Sequence, residues 1–501
     1  MRPLSRLTRN SLIVAFFFGL DKILAFVRTG IISRRYADSV YLLDTFNAAN
    51  NLPDVLFALI SGGALSMAFI PLLTEYLTTR DRAAAWDLFS RVANVAFLVT
   101  AGLALLIALF AEPIVAAEIG IAPGFHAAQR ALLADLMRLN LIGTVIFSIS
   151  GLVMASLQAN QHFVLPALAP IAYNLGQIFG AIFLVPRWGI HGLVYGVILG
   201  AALHLLVQVP ALFKFGFRWT PALDLRHTGL LEALRLIAPR LLTMGGIQLI
   251  VLARDNLASR LGQEGAVTAL TYGWMIMQVP ETILGTAIAT AMLPTLSEYA
   301  ARRDWGGFHQ TIERGLRVLI SLTLPIAAIL GVVLPPLVRG VFGFDAHTTS
   351  LLSWTGRAYL LTLSGYVLQE IAARAFYARK EPIFPLYAVG LRLVIFLSAG
   401  ISAVWFFRNI GAPLIALGEI ALLIEAIVLF AWLSRRTQAP LRLGGAITRG
   451  LAAALIGAAA AFGLGRSVPG GEIVAALVGI IGGGLIALVV VWRDVRLVLN
   501  L

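Results

Sequence analysis

About 220 residues apart, the chain carries nearly the same segment twice: FIPLLTEYLTTRDRAAAWDLFSR from Phe69 to Arg91, and MLPTLSEYAARRDWGGFHQTIER from Met292 to Arg314. Pro71, Glu75, Tyr76, Arg80, Asp81 and Arg91 recur as Pro294, Glu298, Tyr299, Arg303, Asp304 and Arg314, and Pro113 lines up with Pro336. A second match supports the first: ASLQANQHFVLP, ending at Pro166, returns as RAFYARKEPIFP, ending at Pro385. Repeats of this kind inside apolar sequence are the signature of a transporter built from two related halves.

Composition puts those halves in a bilayer. Hydrophobic residues make up 59% of the 501 and charged residues only 13%, against about 25% charged in an average soluble domain, and mean hydropathy is +0.88. Many windows exceed the roughly 20 apolar residues that cross a bilayer. The fold class expected is therefore an all-α polytopic membrane protein. About fourteen spans are predicted, centred near Phe17, Leu59, Val99, Thr144, Leu175, Ile198, Met244, Ala287, Pro325, Leu363, Phe396, Leu422, Leu455 and Ile481. A cleaved signal peptide is not expected, because the first apolar stretch contains charges and runs on past Phe26. No cysteine is present, so disulfides and thiolate metal sites are ruled out.

The basic balance, +13 at pH 7, reads as membrane topology and not as affinity for nucleic acid. Arg2, Arg6, Arg9, Arg80, Arg82, Lys214, Arg218, Arg302, Arg303, Arg379, Lys380, Arg435 and Arg436 fall in loops of one parity, which by the positive-inside rule face the cytoplasm with both termini. Six spans separate corresponding points of the repeat, so the two lobes are expected to be parallel. Residues 1–220 form the first six-helix lobe, 221–437 the second, and 438–501 add a C-terminal helix pair rich in Ala and Gly. That pair reads as peripheral packing, with a lipid-binding groove as the alternative.

Charges inside spans carry the functional information, since each costs on the order of 3 kcal/mol at a helix centre. The first span holds Asp21, Lys22 and Arg28; Asp21 and Arg28, seven residues apart, share a helical face. Along the second runs a polar stripe of Asp44, Asn47, Asn51 and Asp54, with Asn50 beside it. A hydrated cavity lined by these two helices is expected, with interhelical hydrogen bonding as the structural alternative. Arg254 and Asp255 at the end of the seventh span are candidates for a second-lobe or ion-coupling role, or simply an end-of-helix ion pair. Glu370 and Arg374 neutralise one another at i, i+4, and Glu419 and Glu425, isolated carboxylates of the twelfth span, are candidate proton or cation ligands. Pro53, Gly62 and Gly63 in the second span, and Pro280 and Gly285 in the eighth, are hinge candidates, or else close-packing residues.

The run from Leu20 to Tyr76, with ILGTAIATAMLPTLSEYAARRD and FYARKEPIFP, resembles the MurJ (MviN) lipid II flippases of the multidrug/oligosaccharidyl-lipid/polysaccharide (MOP) exporter superfamily. The resemblance covers essentially the whole chain. It implies a V-shaped, alternating-access transporter, not an enzyme, that moves an undecaprenyl-pyrophosphate-linked peptidoglycan precursor across the bacterial inner membrane. Lys22 and Arg28 match basic residues that engage the pyrophosphate in the family, and Asp44 matches an acidic position. Two family arginines fall at Phe57 and Met275, and a family acidic residue at Gly62, so the cavity is expected to be less cationic than its relatives'. Of the sodium site of some relatives only Asp255 has a counterpart. No metal site is assigned. The expected partners are the bilayer and a lipid-linked glycan, lipid II foremost, with no nucleic acid. No nucleotide-binding motif is present, which leaves the membrane potential or a monovalent cation as the expected energy source, and no partner protein is assigned. The alternatives are a flippase for another polyprenyl-linked oligosaccharide, suggested by Phe57 and Met275, and a cation-coupled multidrug exporter, which would favour an acidic and aromatic cavity.

Overall fold

The computed structural model describes residues 6–497 except 63, 224–227, 380, 382 and 438–440. Among the described residues every regular element is helical, as a hydrocarbon solvent demands of a chain that must satisfy its backbone polar groups internally. Helices stand at all fourteen places where the sequence puts a span. Among the described residues ten are long and apolar enough to cross a membrane by length and composition, from Arg82–Leu109 to Gly471–Val495. The remaining four helices are Arg6–Arg35, the second span from Val40, Thr228–Ser259 and Ala346–Ala378. The chain divides into two compact units, Met1–Asn256 and Leu257–Leu501. That division falls inside the seventh helix, whereas the sequence puts its lobe boundary at 220/221.

Each unit contains one copy of the repeat, and in each the same local chemistry shapes it. Asp81 caps the helix Arg82–Leu109, its side chain accepting the Ala84 N–H at 2.7 Å. Asp304 does the same for Trp305–Phe342, accepting from Gly307 at 2.9 Å. Such caps satisfy one of the orphan donors at a helix start. Asp345, at the start of Ala346–Ala378, is a third, and the hydrogen bonds from Thr348 hold its carboxyl below the usual carboxylate range. Upstream of each repeat the helix widens for about one turn: Phe57–Gly62 after Pro53, and Thr282–Thr286 after Pro280, are π-helical. The hinge candidates lie there, Gly62 closing the first widened turn and Gly285 within the second; Gly63 lies outside the described residues.

In the unit Met1–Asn256, glycines at four-residue spacing bring Val164–Phe179 and its π-helical extension against His191–Leu206. A Cβ on Gly176 would stand 2.4 Å from the Gly200 Cα, and one on Gly180 2.5 Å from the Gly196 Cα. Backbone meets backbone here, the small-residue packing used where lipid provides no hydrophobic drive between helices.

In the unit Leu257–Leu501, the C-terminal helices Gly444–Ser467 and Gly471–Val495 pack on Trp305–Phe342 around Ile329, Val333, Ala453, Ala461, Ala476 and Ala487. An ion pair between a half-buried arginine and a buried carboxylate fixes them. Asp494, 2% exposed, accepts two 2.7 Å hydrogen bonds from Arg449 and a third from Ser321 at 3.1 Å.

Two substitutions test this packing. Gly196→Leu should lower the melting temperature of the purified protein through overpacking of about 1–3 kcal/mol or more; an unchanged melt would contradict the backbone contact. Asp494→Ala removes the carboxylate that holds Arg449 and Ser321 and should destabilise the C-terminal pair, visible as early proteolysis within 444–495.

Candidate functional site

The first helix, Arg6–Arg35, brings Asp21 and Arg28 to one neighbour, Asn174 of Val164–Phe179. Arg28 Nη1 donates to Asn174 Oδ1 at 2.9 Å. Asn174 Nδ2 in turn donates to Asp21 Oδ1 at 2.7 Å and to the Pro170 carbonyl at 3.2 Å. The shared helical face read from the sequence is thus used, through an amide that bridges the two charges. Asp54, exposed at the end of Val40–Leu56, lies within the electrostatic reach of Arg28, as does Tyr173.

Further along the polar stripe, Asn51 turns toward the seventh helix. Its amide donates to Asp255 Oδ2 at 2.8 Å, and Arg254 Nε donates to the other carboxylate oxygen at 2.8 Å. Arg254 and Asp255 are therefore joined to the stripe within the unit Met1–Asn256. Asp255 and Asn51 are almost wholly buried, as is Asp44; Asn47 is partly buried, while Lys22 is exposed. The structure unites Asp21 and Arg28 in one network and Asn51, Arg254 and Asp255 in another, with Asp54 in the field of charges from both.

Three polar atoms are buried without a hydrogen-bond partner in this region: Arg28 Nε, Asn51 Oδ1 and, one turn beyond Asn174, Gln177 Nε2. Buried polar groups are nearly always satisfied, so such orphans mark a place prepared for a ligand or for strain. Two of the three are donors, suited to an anion. Asn174 and Gln177 did not stand out in the sequence; the only available signal was two amides three residues apart in an otherwise apolar helix. Phe57, where the resemblance implies an arginine, packs edge-on against Phe147 at 5.1 Å, and Phe147 against Tyr173 at 5.1 Å. The aromatic side chain fills that place with apolar surface.

A second buried polar cluster lies in the unit Leu257–Leu501. Arg392 pairs with Glu419 at 2.8 Å and donates to the Tyr366 hydroxyl at 3.3 Å. Gln369 donates to Glu425 at 3.1 Å. Among the described residues no three His, Asp or Glu side chains are grouped to hold a metal ion.

Comparison with known proteins identifies the family. The family profile of the lipid II flippase MurJ matches residues 39–473. The chain belongs to the MurJ family. A lipid II flippase MurJ of Burkholderia cenocepacia is 31% identical over 404 residues, 78% of this chain and 77% of that protein. A probable lipid II flippase MurJ of Vibrio cholerae is 27% identical, covering 81% and 79%. Among solved structures, a lipid II flippase MurJ in an inward closed conformation superposes with a TM-score of 0.78 at 20% identity, covering 97% of this chain and all of that one. An inward-facing multidrug resistance transporter of the MATE family, within the MOP superfamily, superposes at 0.69 with 17% identity, covering 83% and 94%. The shared fold is that of MurJ and MATE transporters in a multi-pass membrane protein.

Asn174→Ala should uncouple Asp21 from Arg28. In a double-mutant cycle with Arg28→Ala, read as affinity for a pyrophosphate-linked prenyl glycan, the two losses should fall short of additivity by about 0.5–3 kcal/mol. Additive losses would separate the two residues.

Proposed function

We propose that this chain is a flippase that carries lipid II, an undecaprenyl-pyrophosphate-linked peptidoglycan precursor, from the cytoplasmic to the outer leaflet of the bacterial inner membrane. The observation that carries the reading within the MurJ family is Arg28: a guanidinium inside a membrane lobe, anchored at one nitrogen by Asn174, with its Nε buried and unpartnered. A pyrophosphate cannot enter hydrocarbon unaided, because the cost of desolvating an ion there is prohibitive. A guanidinium offers planar paired donors suited to phosphate oxygens. Gln177 Nε2 adds a neutral donor on the adjacent helix. Alternating access then exposes the head group to one side and the other in turn, while the prenyl tail stays in lipid.

The distribution of basic loops supports an orientation with both termini in the cytoplasm. Coupling to the membrane potential or to a monovalent cation would supply the drive. The packed aromatic at Phe57 favours one second reading, a flippase for another polyprenyl-linked oligosaccharide whose head group needs fewer cations. A cation-coupled drug exporter fits less well with unsatisfied donors at Arg28 and Gln177.

Expression in bacteria depleted of their own lipid II flippase should restore labelled precursor to the outer leaflet; correct insertion without rescue would count heavily against lipid II as substrate. In that assay Arg28→Ala should abolish transport at unchanged membrane abundance, with a binding loss of roughly 2 kcal/mol or more. Arg28→Lys should not restore it fully. Wild-type rates in Arg28→Ala would remove the phosphate role.

A further inference from the structure

The polar cluster of the unit Leu257–Leu501 does not balance its charge. Glu425, on Ala421–Thr437, is wholly buried, with Oε1 accepting from Gln369 at 3.1 Å and Oε2 buried without a partner. From Ala346–Ala378 it is faced by Gln369 and Glu370, with Arg374 bound to Glu370 at 3.1 Å, and Tyr377 lies within its electrostatic reach. From Ile383–Trp405 comes Arg392, and from Gly418–Ile420 comes Glu419, which takes the Arg392 guanidinium at 2.8 Å while Tyr366 receives another of its hydrogen bonds. Among the described residues two guanidiniums thus stand against three carboxylates, and each guanidinium is already engaged by a carboxylate other than Glu425. An uncompensated carboxylate in a dry interior is not sustained; it takes up a positive charge.

We propose that Glu425 is a proton-binding site of the second lobe, which takes up a proton at Oε2 in one state of the transport cycle and releases it in another. The step forms one O–H bond with a proton delivered from water and breaks it when the proton returns to water; no electrons move. A metal ion is the poorer occupant, because hard cations gather several oxygen ligands and no such grouping of acidic and histidine side chains exists among the described residues. Glu425 Oε1 is already held by an amide. Intramembrane carboxylates of this kind serve as proton relays in pumps and transporters.

The proposal deepens the transporter reading, and its first test is independent of that reading. Infrared difference spectra of the full chain in lipid, recorded across a pH step, should show a protonated-carboxyl band. The band should vanish in Glu425→Gln, persist in Glu370→Gln, and shift in Gln369→Leu, which removes the hydrogen bond to Oε1. Should Glu425→Gln fail to insert, Glu425→Asp keeps the carboxyl and should move the band. A band untouched by the Glu425 variant that inserts, or displaced by sodium at constant pH, overturns the assignment. In the second test, wild-type flipping in proteoliposomes should change with pH by up to about tenfold per unit, as one coupled proton requires, and Glu425→Gln should flatten that profile. A wild-type pH profile in Glu425→Gln overturns coupling. Absence of flipping in the wild type would count against the lipid II reading and leave the infrared result standing.

Discussion

Charge in a hydrocarbon solvent must be held by hydrogen bonds or by opposite charge, and this requirement organises the polar interior of the chain. Several charged side chains of the described spans are tied across helices: Asp21 and Arg28 through Asn174, Arg254 and Asp255 with Asn51, Arg392 with Glu419, and Arg449 with Asp494. Each tie joins different helices of one compact unit. Because a stranded partner would cost several kcal/mol, these contacts set which helices are neighbours as firmly as apolar packing does. The glycine contacts between Gly176 or Gly180 and Gly196 or Gly200 then set how close the neighbours come.

Much of this was legible in the sequence, for physical reasons. Spans announce themselves because a bilayer needs about 20 apolar residues in a row, and the repeat pairs Asp81 with Asp304, whose role as helix caps only the structure shows. Asp21 and Arg28 could be put on one face from spacing alone. Asn174 could not be found, because its meaning lies in a partner 146 positions away. Nor could Arg392 be matched to Glu419: a span with one charge and a span with two offer no periodicity to read. The widened turns at Phe57–Gly62 and Thr282–Thr286 were foreshadowed only by a nearby proline, which reports strain in a helix without saying how the backbone absorbs it.

The two units have kept the repeat and diverged in charge. In the first, Arg254 meets Asp255 directly, but the neutral amide of Asn174 stands between Asp21 and Arg28, and donors are left open at Arg28 and Gln177. In the second, ions meet directly and are sealed, with one carboxylate in excess. An open guanidinium suits recognition of an anion that comes and goes. A sealed carboxylate suits something as small as a proton. Chemistry has thus been divided between halves that share their caps and their π-helical turns.

Asn174 is what makes the first arrangement workable. Asp21 and Arg28 lie two helical turns apart on the same face, and a direct ion pair between them would spend the guanidinium on the protein's own carboxylate. The amide intercepts that pairing: its oxygen takes one Arg28 nitrogen, and its nitrogen gives a proton to Asp21. Each charge receives a hydrogen bond while Arg28 Nε stays open, and neither charge neutralises the other at contact distance. The amide is a weaker partner for Arg28 than a phosphate oxygen, because charge-assisted hydrogen bonds are roughly twice as strong as neutral ones. An arriving pyrophosphate can therefore gain what the resting network withholds. On release, the amide keeps the guanidinium in place without competing for it as strongly as a carboxylate would.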